Sequence, residues 1–145
     1  MSTPIPSVTV SYAHTGAANR PNELGMRPMQ ERVYAKRGEQ YLLIKSPPAS
    51  GKSRALMFVA LDKLHNQGLK QALIVVPERS IGASFADEPL SQYGFWADWQ
   101  VAPRWNLCNA AGAEDGGKVA ALGEFLASSD KVLVCTHATF RFAVE

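Results

Sequence analysis

The chain has 145 residues, of which 46% are apolar and 19% charged, which is enough for one globular domain with a hydrophobic core. Its net charge of +2 permits a nucleic-acid partner but does not by itself indicate one. The sequence has neither an apolar run of about 18 residues nor a signal peptide, so we expect a cytoplasmic protein that does not contact a membrane. Cys108 and Cys135 lack metal or redox spacing and are expected to be buried thiols.

Residues 1–25 form an expected N-terminal lead-in, in which only residues 7–12 alternate as a short strand would. Beyond it, apolar patterning predicts helices over 26–35, 54–64, 78–85, 118–128 and 138–144, and strands over 41–46, 71–77, 105–109 and 131–136. Residues 86–104 show no periodic pattern, and 110–117 are expected to form a loop. This alternation predicts an α/β fold with three layers: a parallel sheet covered by helices on both faces. Ligands of such sheets bind at the carboxyl ends of the strands.

One stretch has the composition of a phosphate-binding loop. An apolar run ends at Ser46, a loop of small residues ends in Gly51-Lys52-Ser53, and an apolar helix follows. Loop N–H groups and the helix N-terminus attract phosphate, Lys52 adds a full positive charge, and the Ser53 hydroxyl suits Mg²⁺. The predicted nucleotide site comprises Ser46, Pro47, Pro48, Ala49, Ser50, Gly51, Lys52, Ser53 and Arg54, with Lys52 and Ser53 as the catalytic residues.

From about Gly25 to Glu145 the order of motifs resembles the first RecA-like domain of a superfamily 2 helicase, of the DEAD/DEAH-box or restriction-translocase kind. The resemblance implies a P-loop NTPase fold over residues 26–145, with ATP and Mg²⁺ as cofactors. Arg27-Pro28-Met29-Gln30 resembles the glutamine motif of that family, which implies that Gln30 reads adenine. The alternative for Gln30 is a solvated helix residue. Ser46 and Ala49 depart from the family pattern, in which glycine is common at both positions.

Later motifs of the resemblance imply contacts with a DNA or RNA backbone. Pro77-Glu78-Arg79 resembles a turn that holds the sugar-phosphate chain, with Arg79 as the contact. The doublet Gly116-Gly117 resembles one that lets a strand approach closely, and Thr136-His137 resembles a motif whose threonine contacts a phosphate. Each of these has an ordinary structural alternative, such as a surface charge, a glycine-containing loop or the end of a strand.

The acidic Asp-Glu motif that this family uses for hydrolysis does not follow an apolar strand in these residues. Asp87-Glu88 precedes Pro89 in an irregular region and is interpreted as a loop pair without a catalytic role. We therefore expect the N-terminal part of a motor domain, which binds ATP but hydrolyses it only with further sequence and a second RecA-like domain. The alternatives are a small P-loop kinase or phosphotransferase, and a nucleotide-binding module without catalysis.

Overall fold

The computed structural model describes residues 21–108 and 115–144. The expected strand at 7–12 lies outside these ranges. The helices and strands are α1 (Pro28–Tyr34), α2 (Lys52–Asn66), β1 (Ala72–Val76), α3 (Arg79–Gly82), α4 (Asp115–Ala127), β2 (Val132–Thr136) and α5 (His137–Val144). Short 3₁₀ turns cover Ala83–Phe85, Leu90–Tyr93 and Pro103–Trp105. No helix among the described residues is long and apolar enough to cross a membrane.

The two strands form a parallel pair, as the continuous apolar runs predict. Ala72 aligns with Val132 and Val76 with Thr136, so the register runs through the whole of both strands. Strand β2 is buried throughout residues 132–135, because β1 lies on one side and Asn106 bridges to Val134 on the other. Strand β1 is only half-buried over residues 72–75. Its position at the edge of the described sheet explains the difference.

Helix α2 is long, and apolar side chains lie on most of its sides. Its Met57 and Phe58 are 1% exposed and belong to the main core, together with Trp99, Phe125 and Leu133. A smaller cluster joins its Ala55 and Val59 to Val33 of α1, with Met29 and Ile44 packed against it. Helix α2 is therefore the element through which α1, the preceding loop and the sheet are connected.

The expected strand at 41–46 is wrong for this structure: Tyr41 lies in a bend, and residues 42–46 belong to no regular element and to no β-ladder. Tyr41 is 84% exposed and Leu43 is 88% exposed. The physical reason is that a strand needs a paired neighbour for its backbone hydrogen bonds, and no described strand pairs with this segment. An apolar run by itself does not provide that neighbour.

Two further predictions need correction. The strand expected at 105–109 is not found over its described residues, 105–108, which contribute one bridge, at Asn106, because a 3₁₀ turn occupies Pro103–Trp105. Helix α4 begins at Asp115, so Gly116 and Gly117 lie in its first turn and not in a loop. The region 86–104, for which the sequence predicted no element, is ordered by long-range contacts, among them a two-way backbone pairing of Glu88 with Trp99.

Cys108 and Cys135 are buried free thiols, as expected, and burial raises the pKa of Cys135 to about 11.

Candidate functional site

The loop before α2 has an unusual backbone where the helix begins. Gly51, the residue before α2, has a φ of 94°, in the left-handed region that favours glycine. Ala49 also has a positive φ, 61°, which an alanine adopts only with strain. The hydroxyls of Ser46 and Ser50 are hydrogen-bonded to each other across the loop. These features produce a tight turn that exposes Pro47 and Pro48 and directs the chain into α2.

Gln30 fixes this turn to α1. Its side-chain Nε2 donates to the carbonyl oxygen of Gly51 at 3.0 Å, and its Oε1 accepts from the backbone N–H of Arg27 at 2.8 Å. Gln30 is only 2% exposed, so it is not the solvated helix residue of the alternative interpretation. In this structure both ends of its amide bind backbone groups, whereas the sequence resemblance assigns them to adenine.

A cavity of about 430 Å³ opens beside the loop and the first turns of α2. We call it the loop cavity. It is lined by Arg27, Gln30, Ala49, Gly51, Lys52, Ser53, Arg54, Met57, Ser84 and Glu88. Five of these belong to the predicted loop site at 46–54, and Gln30 is the predicted adenine contact, so the structure brings that part of the prediction together. Ser46, Pro47, Pro48 and Ser50 are not among its lining residues.

Lys52 and Ser53, which are predicted to bind phosphate and Mg²⁺, are the first two residues of α2. Lys52 is exposed, and no ion pair or hydrogen bond engages its side chain within the described residues. Ser53 is half-buried and lines the same cavity. Helix α2 has 15 residues, so its N-terminus carries the partial positive charge of a full helix dipole. Together these groups can hold an anion such as a phosphate.

Glu88 also lines the loop cavity, which sequence reasoning missed. Its carboxylate lies 3.2 Å from the guanidinium of Arg54, and that guanidinium also lies 5.6 Å from the ring centroid of Tyr93. The pairing with Trp99 holds the Glu88 backbone in place, since the amide of each donates to the carbonyl of the other. Asp87, the other member of the pair, has a structural contact, since its carboxylate accepts from the Val101 N–H. No local pattern links Glu88 to Arg54, which is 34 residues away.

A second cavity, of about 510 Å³, lies at the carboxyl ends of the two strands. We call it the strand-end cavity. It is lined by Pro77, Glu78, Arg79, Ser80, Lys118, Thr136, Ala138 and Thr139. The structure thus brings together Pro77, Arg79 and Thr136, which the resemblance assigned to one backbone-binding surface. His137 is exposed but does not line this cavity. Gly116 and Gly117 do not line it either, although they lie in the first turn of α4, the helix that carries Lys118.

Each of the predicted contacts in the strand-end cavity has a structural partner. The Nε of Arg79 donates to the carbonyl of Cys108 at 2.9 Å, which orients the guanidinium at the cavity. The Thr136 hydroxyl accepts from the Thr139 N–H at 3.3 Å, at the start of α5. A threonine in this position caps a helix whatever else it binds. The sequence therefore could not separate a capping role from a phosphate contact.

Lys118 is a cation of this cavity that the motifs did not indicate. It is only 9% exposed, and its charge, like that of Arg79, opposes the burial that raises the pKa of Cys108. Lys118 follows the glycine doublet directly in the chain. No group of three or more potential metal-ligating side chains occurs in the described part of the chain.

Comparison with known proteins gives one clear relative. Over 138 residues, 95% of the chain, the sequence is 53% identical to a Bacillus subtilis protein named "Putative ATP-dependent helicase YeeB". The chain spans 22% of the length of that relative. No family model matches the chain. No solved structure matches it.

Proposed function

We propose that the chain is the ATP-binding N-terminal part of a nucleic-acid helicase or translocase, with a P-loop of the RecA-like type at Ser46–Ser53. The observation that carries the proposal is the loop cavity. It combines the start of a 15-residue helix, a lysine without a partner among the described residues, and a glycine in the left-handed region. The relative's name, which includes ATP-dependent helicase, agrees with this assignment.

The loop cavity suits a nucleotide because its charges are suitably arranged for phosphates. Lys52 reaches the terminal phosphates, and the Ser53 hydroxyl is available as an oxygen ligand for Mg²⁺. Arg27 and Arg54 add positive charge to the same walls. Mg²⁺ held with the Ser53 hydroxyl would neutralise phosphate charge, while the chain's own residues would orient the triphosphate and hold its negative charge.

The strand-end cavity suits a single strand of DNA or RNA. Arg79 and Lys118 provide positive charge, and the hydroxyls of Ser80, Thr136 and Thr139 provide hydrogen bonds. Groups of this kind hold phosphates and not base edges, so binding is proposed to tolerate any sequence. Hydrolysis and movement along the strand are proposed for the full-length protein, together with a second RecA-like domain.

The test uses the full-length protein and titrates ATP and a nonhydrolysable analogue against Lys52→Ala. We expect the variant to bind ATP at least tenfold more weakly and to lose phosphate release that depends on nucleic acid. Lys70→Ala is the matched control, because Lys70 is exposed and lies outside both cavities. If Lys52→Ala binds and hydrolyses ATP like Lys70→Ala, the nucleotide assignment fails. Residues 1–145 alone are expected to bind ATP weakly and to release no phosphate.

A further inference from the structure

Tyr93 lies beside the loop cavity without lining it. Its ring centroid is 5.6 Å from the guanidinium carbon of Arg54, a residue that does line the cavity. An aromatic ring attracts a cation within roughly 6 Å of its centroid, so the two side chains interact. Because Tyr93 is 56% exposed, burial in the core does not account for the position of its ring.

The backbone on both sides of this contact is held in place. Tyr93 ends the 3₁₀ turn Leu90–Tyr93, whose first residue is buried in the main core. The next residue, Gly94, has a φ of 112° and packs so closely on the turn at 22–26 that a Cβ would collide with a backbone carbonyl there. A Cβ at Gly25, within that turn, would lie 2.7 Å from the Tyr93 Cβ. The ring is therefore presented to Arg54 from a fixed backbone.

Arg54 has a second partner in the same region, but of a different kind. The Glu88 carboxylate, 3.2 Å away, neutralises the charge of the guanidinium. A phosphate can take the place of this carboxylate, because the guanidinium fork binds both groups in the same way. The Tyr93 ring contacts the guanidinium without neutralising it, so this contact is compatible with a bound phosphate.

We propose that Tyr93 is a positioning residue of the nucleotide site, whose ring holds the Arg54 guanidinium at the wall of the loop cavity for the phosphates of the nucleotide. The inference rests on the proposed function, since it needs a nucleotide in that cavity. It gives a role to region 86–104, in which the sequence showed no periodic pattern and no motif other than the Asp87-Glu88 pair.

ATP titration of the full-length protein tests the role of the ring. Tyr93→Leu is expected to bind ATP about 2–5-fold more weakly, and Tyr93→Phe, which keeps the ring, to bind like the unmutated protein. Trp96→Leu is the matched control, because Trp96 is a 43% exposed aromatic residue of the same region that lies outside the loop cavity. An equal loss in Trp96→Leu, or in Tyr93→Phe, would overturn the inference.

A double variant tests whether Tyr93 acts through Arg54. Arg54→Gln is expected to weaken ATP binding, and the addition of Tyr93→Leu to cause no further loss, because the ring then has no cation to hold. If Tyr93→Leu costs the same factor with and without Arg54, the two residues act independently and the inference is wrong.

A measurement without nucleotide separates this inference from the proposed function. Modification of Arg54 by phenylglyoxal, followed by mass spectrometry of the full-length protein, is expected to be about 2–5-fold faster in Tyr93→Leu but not in Tyr93→Phe. An unchanged rate would show that the ring does not hold Arg54. If Lys52→Ala leaves ATP binding unchanged, the proposed function fails and this inference with it. If Lys52→Ala weakens binding and Tyr93→Leu does not, only this inference fails.

Discussion

The side-chain amide of Gln30 and the carbonyl of Gly51 are joined by a 3.0 Å hydrogen bond that connects α1 to the start of α2. Gly51 approaches Gln30 so closely that a Cβ at position 51 would lie 2.5 Å from the Gln30 Nε2. The glutamine therefore sets the shape of the loop cavity before any ligand enters it. This relationship gives Gln30 a positioning role, which is an alternative to the predicted reading of adenine.

We expect Gln30→Ala to weaken ATP and GTP binding by the same factor, about 3–10-fold. The reason is that loss of one hydrogen bond, worth about 0.5–1.5 kcal/mol, loosens the loop for both nucleotides. Parallel titrations of ATP and GTP on the full-length protein measure the two factors. A loss confined to ATP would instead show that the Gln30 amide turns to the adenine, as the sequence resemblance implies.

Gly51→Ala is expected to be more damaging than the same change at Gly68. Both glycines have positive φ, 94° and 76°, so both substitutions carry a backbone strain of about 1–2 kcal/mol. Only at Gly51 does the new methyl group displace Gln30, because a Cβ at Gly68 meets nothing within 4 Å. Thermal unfolding and ATP titration of the two variants separate these effects. Equal losses in ATP affinity would mean that strain alone matters.

Glu88→Gln is expected to raise nucleotide affinity about 2–5-fold. The change removes a carboxylate from the loop cavity and frees Arg54 for phosphates, and exposed ion pairs of this kind are worth about 0.2–1 kcal/mol. Arg54→Gln is expected to lower affinity, and the double variant to resemble Arg54→Gln. Glu39→Gln, at an exposed position outside the cavity, is the control. Weaker binding by Glu88→Gln would show that its carboxylate accepts a hydrogen bond from the nucleotide.

Arg79→Ala and Lys118→Ala are each expected to weaken binding of single-stranded nucleic acid by the full-length protein, whatever its sequence. Each phosphate contact that is lost should make the slope of log affinity against log salt shallower by about 0.7. Lys131→Ala is the control, because Lys131 is exposed and lies outside the strand-end cavity. Titrations at several salt concentrations give the slopes. An unchanged slope in both variants would remove the strand-end cavity from the nucleic-acid site.

Asp62 makes stability depend on acid pH. Burial alone would raise its pKa, but hydrogen bonds from Asn66, Gln67 and Tyr34 and the charge of Arg37 hold the pKa below its ordinary value. A lowered folded-state pKa gives stability that is present above the unfolded pKa, about 3.9, and is lost as pH falls through the folded pKa.

We expect Asp62→Asn to lower the free energy of unfolding at pH 7 by about 1–3 kcal/mol, because the donors around it lose a charged acceptor. The variant should also lose part of the pH dependence below about pH 4. Denaturant unfolding at several pH values measures both, with Glu124→Gln as the exposed control. A variant with unchanged stability and pH dependence would contradict the role of this network.

Local patterns in the sequence determined the helix that follows the predicted phosphate loop and the apolar strands 72–76 and 132–136. Gly51-Lys52-Ser53 and the continuous apolar runs carry their physical meaning within a few residues, so no distant contact was needed to recognise them. The approach of Arg79 to Thr136 also followed, because carboxyl ends of parallel strands meet at one edge of a sheet.

The tertiary structure alone decided which groups those local elements face. Three of these relationships join positions that are remote in sequence, so no periodicity encodes them. They are the Arg54–Glu88 ion pair, the hydrogen bond from Gln30 to Gly51, and the position of Lys118 in the same cavity as Arg79. Residues 41–46 show that a local pattern can also predict an element that the tertiary structure lacks. Their apolar composition predicts a strand, but a strand forms only where a neighbour completes its backbone hydrogen bonds, and that is a property of the assembled sheet.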